Sequence, residues 1–336
     1  MPFRLIDVVL PNEQRARVES IFERDTVVHV HYDAVADGLT EARALVRTPG
    51  TEDLTDLLDK QLAFSSDYRL IILRVEAILP RPPDEDSEEA HGPEAKPADG
   101  KRRTRVSREE ILNAVRPATE LNATFFVMVM LSSIVAAVGL YRSDVAVIIG
   151  AMVIAPLLGP NIALALATTL GDMKLGWRAA RVGLSGLLAA LVFSLVLGAL
   201  LDPSGSEQVL ARTRPTLADS PLALASGVAG ALVFTSGASA SLIGVMVAVA
   251  LLPPLLTGGM LLGAGHGWDA LAAFSLLLTN VTCVNLAGIA TFLLQGVRPK
   301  NWWEMHRARR VARIAICFWL LLLVGLVFLN YQAPWR

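Results

Sequence analysis

Ile149-Gly-Ala-Met-Val-Ile-Ala-Pro-Leu-Leu-Gly-Pro160 is the stretch on which the reading of this chain turns. It is apolar throughout and lies inside residues 145–171, a run free of Asp, Glu, Lys and Arg. A helix needs about 20 apolar residues to cross the hydrocarbon core of a bilayer, so the run is long enough to span. Pro156 and Pro160, however, each lack an amide donor and bend any helix that contains them. A membrane span with a break in it is the expectation. At an offset of 94 residues stands Ile243-Gly-Val-Met-Val-Ala-Val-Ala-Leu-Leu-Pro-Pro254, which shares Ile, Gly, Met, Val, two Leu and the final Pro.

Working outward, charge-free runs of spanning length also occupy residues 121–141, 182–201, 221–268, 270–297 and 314–335. Residues 221–268 are too many for one helix. The small-residue turn Thr235-Ser-Gly-Ala-Ser-Ala240 divides them into spans near 221–235 and 239–263. The count is seven. The 94-residue shift lays spans one to three over spans four to six, repeats of about 115–202 and 209–297. Three is odd, so the copies run in opposite directions through the bilayer, the sequence trace of an inverted-topology repeat.

Composition agrees. The chain has 336 residues, 53% hydrophobic and 18% charged, with mean hydropathy +0.50, whereas soluble chains carry roughly a quarter charged residues. Residues 1–120 hold 17 basic and 24 acidic side chains, leaving 13 and 7 for the other 216. The net charge of −1 averages over that split and argues neither for nor against nucleic acid; no nucleic-acid partner is assigned. Lys and Arg concentrate in residues 101–116, 174–181 and 298–313, which share one side if every span crosses. Only Arg142, Arg212, Arg214 and Arg336 fall on the other. The positive-inside bias therefore puts the N-terminal domain in the cytoplasm and the C-terminus outside, with Trp177, Trp268, Trp302, Trp303, Tyr141 and Tyr331 near span ends. Met1–Asp7 lacks the basic and apolar regions of a cleaved signal peptide.

The first 80 residues read as strand 4–10, an amphipathic stretch to Arg24 with Ala16, Val18, Ile21 and Phe22 inward, strands 26–32 and 42–47, a helix from Thr51 with Leu54, Leu57, Leu58 and Leu62 as its stripe, and strand 68–79. The order βαββαβ is the ferredoxin-like, split βαβ pattern, which hosts small regulatory domains and assigns no ligand by itself. Residues 81–106 are Pro-rich and acidic, then basic, and read as a tether whose basic end lies near anionic headgroups. Residues 107–299 form the six-span core, and residues 300–336 a basic loop and seventh span. His29 and His31 share one strand face with no third ligand beside them, so no metal site is assigned. Cys283 and Cys317 lie in spans as small hydrophobes and form no disulfide framework.

Candidate site residues follow from the paired interruptions. Pro156, Gly159 and Pro160 break the second span; Pro253, Pro254, Gly258 and Gly259 break the fifth. Broken helices present positive N-terminal dipoles and unwound carbonyls, which is how transporters bind solutes at mid-membrane. The polar groups at that depth are Asn161 after the first break, Thr257 after the second, and Thr279, Asn280, Thr282 and Asn285 in the sixth span. Ser132 and Ser133 join them from the first span, and Ser236, Ser239 and Ser241 from the turn between the fourth and fifth. Each Ser, Thr and Asn also has an interhelical hydrogen bond as an ordinary use. Asn122, Asp144 and Asp172, near span ends, would gate or cap. No ionisable residue lies in mid-span, so catalytic residues and a carboxylate relay are not expected, and the solute would be a small anion, zwitterion or neutral molecule. Gly259 and Gly263 form a small-xxx-small face suited to packing within the chain or to a homo-oligomer.

The motifs Asn122-Ala-Thr-Phe-Phe126, Gly139-Leu-Tyr-Arg-Ser143, Val147-Ile-Ile-Gly-Ala-Met-Val-Ile-Ala-Pro-Leu-Leu-Gly-Pro160 and Gly171-Asp172 before an Arg-bearing loop resemble the domain of unknown function 389 family of prokaryotic hydrophobic proteins. The resemblance covers about residues 115–295. It implies a multi-pass membrane protein, some members having an N-terminal soluble domain, and no established substrate or reaction. In the second copy Pro253-Pro254 replaces the Pro-x-x-Gly-Pro pattern, so identical chemistry is not assigned to it. The sequence thus reads as a multi-pass α-helical membrane protein of about seven spans with a 3+3 inverted repeat, two broken helices and a cytoplasmic ferredoxin-like domain. Its partners are the lipid bilayer of the inner membrane and a small-molecule or ion substrate, with no cofactor. The expected role is a transporter or channel; the alternative is a membrane-anchored sensor or scaffold that transports nothing.

Overall fold

The computed structural model describes residues 3–35, 38–62, 68–75, 107–216, 218–236, 251–299 and 302–332. The chain is mostly helical and forms two compact units, Met1–Glu110 and Ile111–Arg336. In the first unit the order is β1 (Phe3–Pro11), α1 (Arg15–Phe22), β2 (Val27–Val35), β3 (Leu39–Arg47), α2 (Thr51–Leu62) and β4 (Arg69–Val75). The sheet runs β2-β3-β1-β4, every neighbouring pair antiparallel, so β3 inserts between β1 and β2. Because side chains alternate along a strand, Ile6, Val8 and Leu10 of β1 share a buried face with Ala42, Ala44 and Val46 of β3. Val18, Ile21 and Phe22 from α1 and Leu54, Leu58 and Leu62 from α2 close over that face. Ala16, expected inward, is exposed, because α1 begins only at Arg15 after a 3-10 turn over Asn12–Gln14.

His29 and His31 are exposed on the opposite face, where His31 Nε2 lies 3.2 Å from Asp33 Oδ1, and no metal-ligand cluster occurs among the described residues. Arg4, 3% exposed, grips both carboxylate oxygens of Glu110 at 2.9 Å, and Arg108 reaches Asp56 at 3.0 Å. The bidentate form makes the Arg4 pair strong for an ion pair.

Asp7 is the strained polar group of this unit. Its Oδ1 is buried without a hydrogen-bond partner, while Oδ2 is 3.6 Å from Arg43 Nε. Burial, then the neighbouring Glu41, pushes the carboxyl above its ordinary 3.8, against the opposing pull of Arg43. A raised carboxylate pKa means the folded state binds the proton more tightly, so stability falls as pH rises through the window above 3.8.

In the second unit the helices are α3 (Arg108–Val115, which begins in the first), α4 (Ala123–Tyr141), α5 (Val145–Ile154), α6 (Leu158–Leu170), α7 (Met173–Leu200), α8 (Glu207–Leu210), α9 (Asp219–Ser236), α10 (Leu252–Gly263), α11 (Gly267–Leu294) and α12 (Trp302–Gln332). Among the described residues four segments are long and apolar enough to cross a membrane: α4, α7, α11 and residues 308–332 of α12. The pair α5 and α6, bent by 52°, makes a fifth if it is one span. The chain is thus a membrane protein by length and composition of its helices. α9, diluted by Asp219, Ser220 and Pro221, and the 12-residue α10 fall outside that count, and the residues joining them lie outside the described ones. α11 is central and α12 peripheral: 72% of the apolar window is buried in the first and 11% in the second. α6 packs against α7, α11 and α12; α10 packs against α7 and α11; α9 lies on α11, and α4 lies on α5 and α7. Cys283 is buried in α11, Cys317 is exposed on α12, and both thiols are free.

Close approach of α7 and α10 depends on missing side chains. A Cβ on Gly198 would stand 1.9 Å from the Met260 carbonyl oxygen, one on Gly259 1.9 Å from Ser194 Oγ, and one on Gly263 2.1 Å from the Leu195 carbonyl oxygen. The Gly259/Gly263 face is therefore used inside the chain.

Two outcomes follow from these contacts. Asp7→Asn should slow hydrogen exchange of the β1 amides at pH 7 relative to the parent, and the ratio should shrink towards one as pH falls below the ordinary aspartate value. Gly198→Ala should lower the unfolding midpoint in detergent sharply, whereas Gly150→Ala, with nothing within 4 Å of its new methyl, should leave it unchanged or raise stability by up to about 1 kcal/mol.

Candidate functional site

The break between α5 and α6 covers Ala155-Pro156-Leu157. Pro156 has no N–H to return to the Met152 carbonyl, so the helix stops and restarts at Leu158. Gly159 and Pro160, expected to interrupt the span, lie instead in the first turn of α6, where a missing N–H costs no helical bond. The same holds for Pro253 and Pro254 in the first turn of α10. Gly258 and Gly259 stand within that helix and do not break it; a Cβ on Gly258 would meet the Phe274 ring at 2.6 Å, so it serves packing.

Asn161 lies one turn past the break. Its Nδ2 donates to the Leu157 carbonyl four residues back at 3.0 Å, and its Oδ1 accepts from Asn285 Nδ2 at 3.1 Å. Asn285 also donates to the Val281 carbonyl at 2.9 Å. Two asparagines 124 residues apart thus meet between α6 and α11, which approach closely enough that a Cβ on Gly288 would lie 3.0 Å from Ala165 Cβ. Asn285 is fully buried, and its Oδ1 has no hydrogen-bond partner. Thr257 Oγ1 on α10 is likewise buried and unpartnered. Leaving such an acceptor empty costs about 1–3 kcal/mol.

Beside the break lies a cavity of about 440 Å³ whose walls include Asn122, Phe125, Met128, Pro156, Gly159 and Phe234. No charged side chain is among the described residues that line it. The sequence-expected residues therefore fall into three places: Asn122, Pro156 and Gly159 at the cavity; Asn161 and Asn285 at the amide pair; and Pro253, Pro254, Thr257 and Gly258 buried in α10, with Asn280 buried in α11. Phe125, Met128 and Phe234 had no sequence signal, being apolar residues in apolar runs.

The terminal polar residues cap. Asn122 Oδ1 accepts from the Phe125 amide at 2.7 Å, Asp144 from Ala146 and Val147 at 3.0 and 3.2 Å, and Asp172 from Lys174 and Leu175 at 3.0 Å each. Ser133, Thr279 and Thr282 donate to carbonyls of their own helices rather than across helices, because the carbonyl four residues back is always in reach. Ser132 does cross, donating to the Ala151 carbonyl of α5 at 2.7 Å. Ser239 and Ser241 lie outside the described residues.

The pattern of a family described as a domain of unknown function (DUF389) matches residues 152–286, a segment that holds the break, the amide pair and α10. An uncharacterized protein of Methanocaldococcus jannaschii is 32% identical over 330 residues, covering 98% of this chain and 99% of its own length. No solved structure matches. The chain belongs to the DUF389 family.

The amide pair makes a measurable claim. A double-mutant cycle of Asn161→Ala and Asn285→Ala, read by unfolding in mixed micelles, should give a coupling of about 0.6–1.7 kcal/mol, the range of side-chain hydrogen bonds in membrane helices. Additive losses would mean the two side chains do not interact.

Proposed function

We propose that this member of the DUF389 family is a transporter or channel for a small anion, zwitterion or neutral solute, with its site at the break between α5 and α6. The observation that carries this reading is the fully buried, unpartnered Asn285 Oδ1 held beside Asn161. Neutral amides and hydroxyls bind such solutes by hydrogen bonds without the desolvation penalty that a buried charge would impose. The apolar and neutral polar side chains that form the described cavity walls fit a binding and conducting role.

The spacing of paired elements supports it and is read as an internal repeat. α6 begins at Leu158 and α10 at Leu252; α7 spans Met173–Leu200 and α11 spans Gly267–Leu294; left-handed Gly171 (φ 70°) and Gly265 (φ 88°) precede the long helices. Every one of these pairs is 94 residues apart. Gly288 meets Ala165 where α11 crosses α6, and Gly259 meets Ser194 where α10 crosses α7; the shift exchanges one pair with the other. With three spans per copy the halves would be inverted, giving six spans plus α12, and the break falls beside Gly186, half-way along α7, as a mid-membrane site requires. The same shift sets Asn161 and Asn285 against Leu255 and Leu191. Only one half carries the amides, so one site per chain is expected.

In this reading the basic end is cytoplasmic. Gly171, next to Lys174, abuts Ala308 there, while at the far end His266 stands 3.5 Å from Asp202. The N-terminal unit, with its split βαβ strand order, is the regulatory domain.

Osmotic reswelling of proteoliposomes in urea, glycine or sodium chloride tests the proposal across neutral, zwitterionic and ionic solutes. Reswelling faster than empty vesicles is expected for at least one. The Asn161→Leu/Asn285→Leu double variant, which copies the Leu255/Leu191 half, should fold yet fall to the empty-vesicle rate. An undiminished rate would remove the site, and no protein-dependent reswelling with any solute would favour an anchored sensor.

A further inference from the structure

A second pocket, of about 180 Å³, lies between the ends of α6 and α11 and the first turns of α12. Its polar walls include Arg298 and Arg309, and its apolar walls are Leu293, Val297, Ala308 and Ala312. The space exists because residues four apart on α12 are both alanine, so that face carries no bulk between Arg309 and the end of α11. Ala308 is pinned against Gly171, where a Cβ would come within 2.8 Å of the Ala308 Cα, which fixes the distance from α12 to the end of α6.

Two features of the surroundings specify the ligand. Both arginines are exposed at the mouth, and a guanidinium presents a planar fork that matches phosphate oxygens two at a time. Next in sequence to the walls the side chains are apolar and exposed: the wall residue Leu293 is 42% exposed, its neighbour Leu294 88%, and Ile314, two residues past Ala312, 63%. An anionic head over an apolar flank is the shape of a phospholipid, and basic pockets between membrane helices bind such head groups. Arg310 and Arg313 add to the positive charge of the same helix.

We propose that this pocket binds the phosphate of an anionic phospholipid in the leaflet at the basic end, with Arg298 and Arg309 on the phosphate and the acyl chains along Leu293, Leu294 and Ile314. The lipid ties α12, the least buried helix, to the end of the six-span core. This assignment does not depend on transport.

Native mass spectrometry of the full chain tests it, with phosphatidylglycerol and phosphatidylcholine of identical acyl chains as probes. The parent and Arg310→Gln, whose substitution lies outside the pocket walls, should retain phosphatidylglycerol about tenfold better than phosphatidylcholine, because the two share the phosphate but the second sets a choline cation beside the arginines, a repulsion of about 1.4 kcal/mol. Arg298→Gln/Arg309→Gln should lose that preference, and so should Ala312→Leu, which fills the space without altering charge. Equal retention of the two lipids by the parent, or an undiminished preference in both pocket variants, overturns the proposal. A thermal melt with inorganic phosphate separates the sources: stabilisation by phosphate alone, lost in the double variant, would assign the pocket to a free anion and overturn the lipid.

Discussion

Inside a bilayer no water completes the hydrogen bonds of an interrupted helix, so every freed backbone group must find its partner within the protein. Pro156 ends α5, and the chain restarts as α6 with Leu157 beside Gly186, half-way along α7. One turn on, Asn161 donates to the Leu157 carbonyl and accepts from Asn285 on α11. Asn285 then spends both amide hydrogens on Asn161 and on the Val281 carbonyl, which leaves its oxygen without a donor. A polar spot among apolar helices thus sits one turn past the break, marked by the one amide oxygen of the pair that receives no hydrogen bond.

Bringing those groups together demands close helix contact, and small residues provide it. Where α10 meets α7, glycine hydrogens occupy positions in which a methyl would overlap carbonyl oxygens; where α6 meets α11, Ala165 faces Gly288. Association of apolar helices in lipid gains little from burial alone, so tight van der Waals contact over such faces is a main source of cohesion. The repetition of these contacts at a 94-residue interval is the strongest support for an inverted repeat, because it joins pairs of positions and not single motifs.

The N-terminal unit obeys the physics of water instead. Alternation in β1 and a leucine stripe on α2 were plain in the sequence, β3 was the weaker strand signal, and residues of all three form the core. Strand order was implied by the βαββαβ pattern, since strands joined through a helix leave room for a third between them. The ion pairs of Arg4 with Glu110 and Arg108 with Asp56 were not legible: partners 106 and 52 residues apart carry no local signal.

What the sequence by itself determined is local. Charge-free runs marked the four or five segments that are long and apolar enough to cross a membrane among the described residues, Asn122, Asp144 and Asp172 announced the starts of α4, α5 and α7, and Pro156 announced a break, because each acts through its own backbone or the next turn. The sequence over-assigned interruptions at Gly159, Pro160, Gly258 and Gly259, since a residue type that bends a helix interior is harmless in the first turn or at a contact. Only the tertiary structure decided that Asn161 pairs with Asn285 while Thr257 stands alone, that Phe125, Met128 and Phe234 wall the cavity, and that Arg298 and Arg309 share a pocket. Those outcomes depend on distances between helices, which side-chain size at the crossings sets and no single segment encodes.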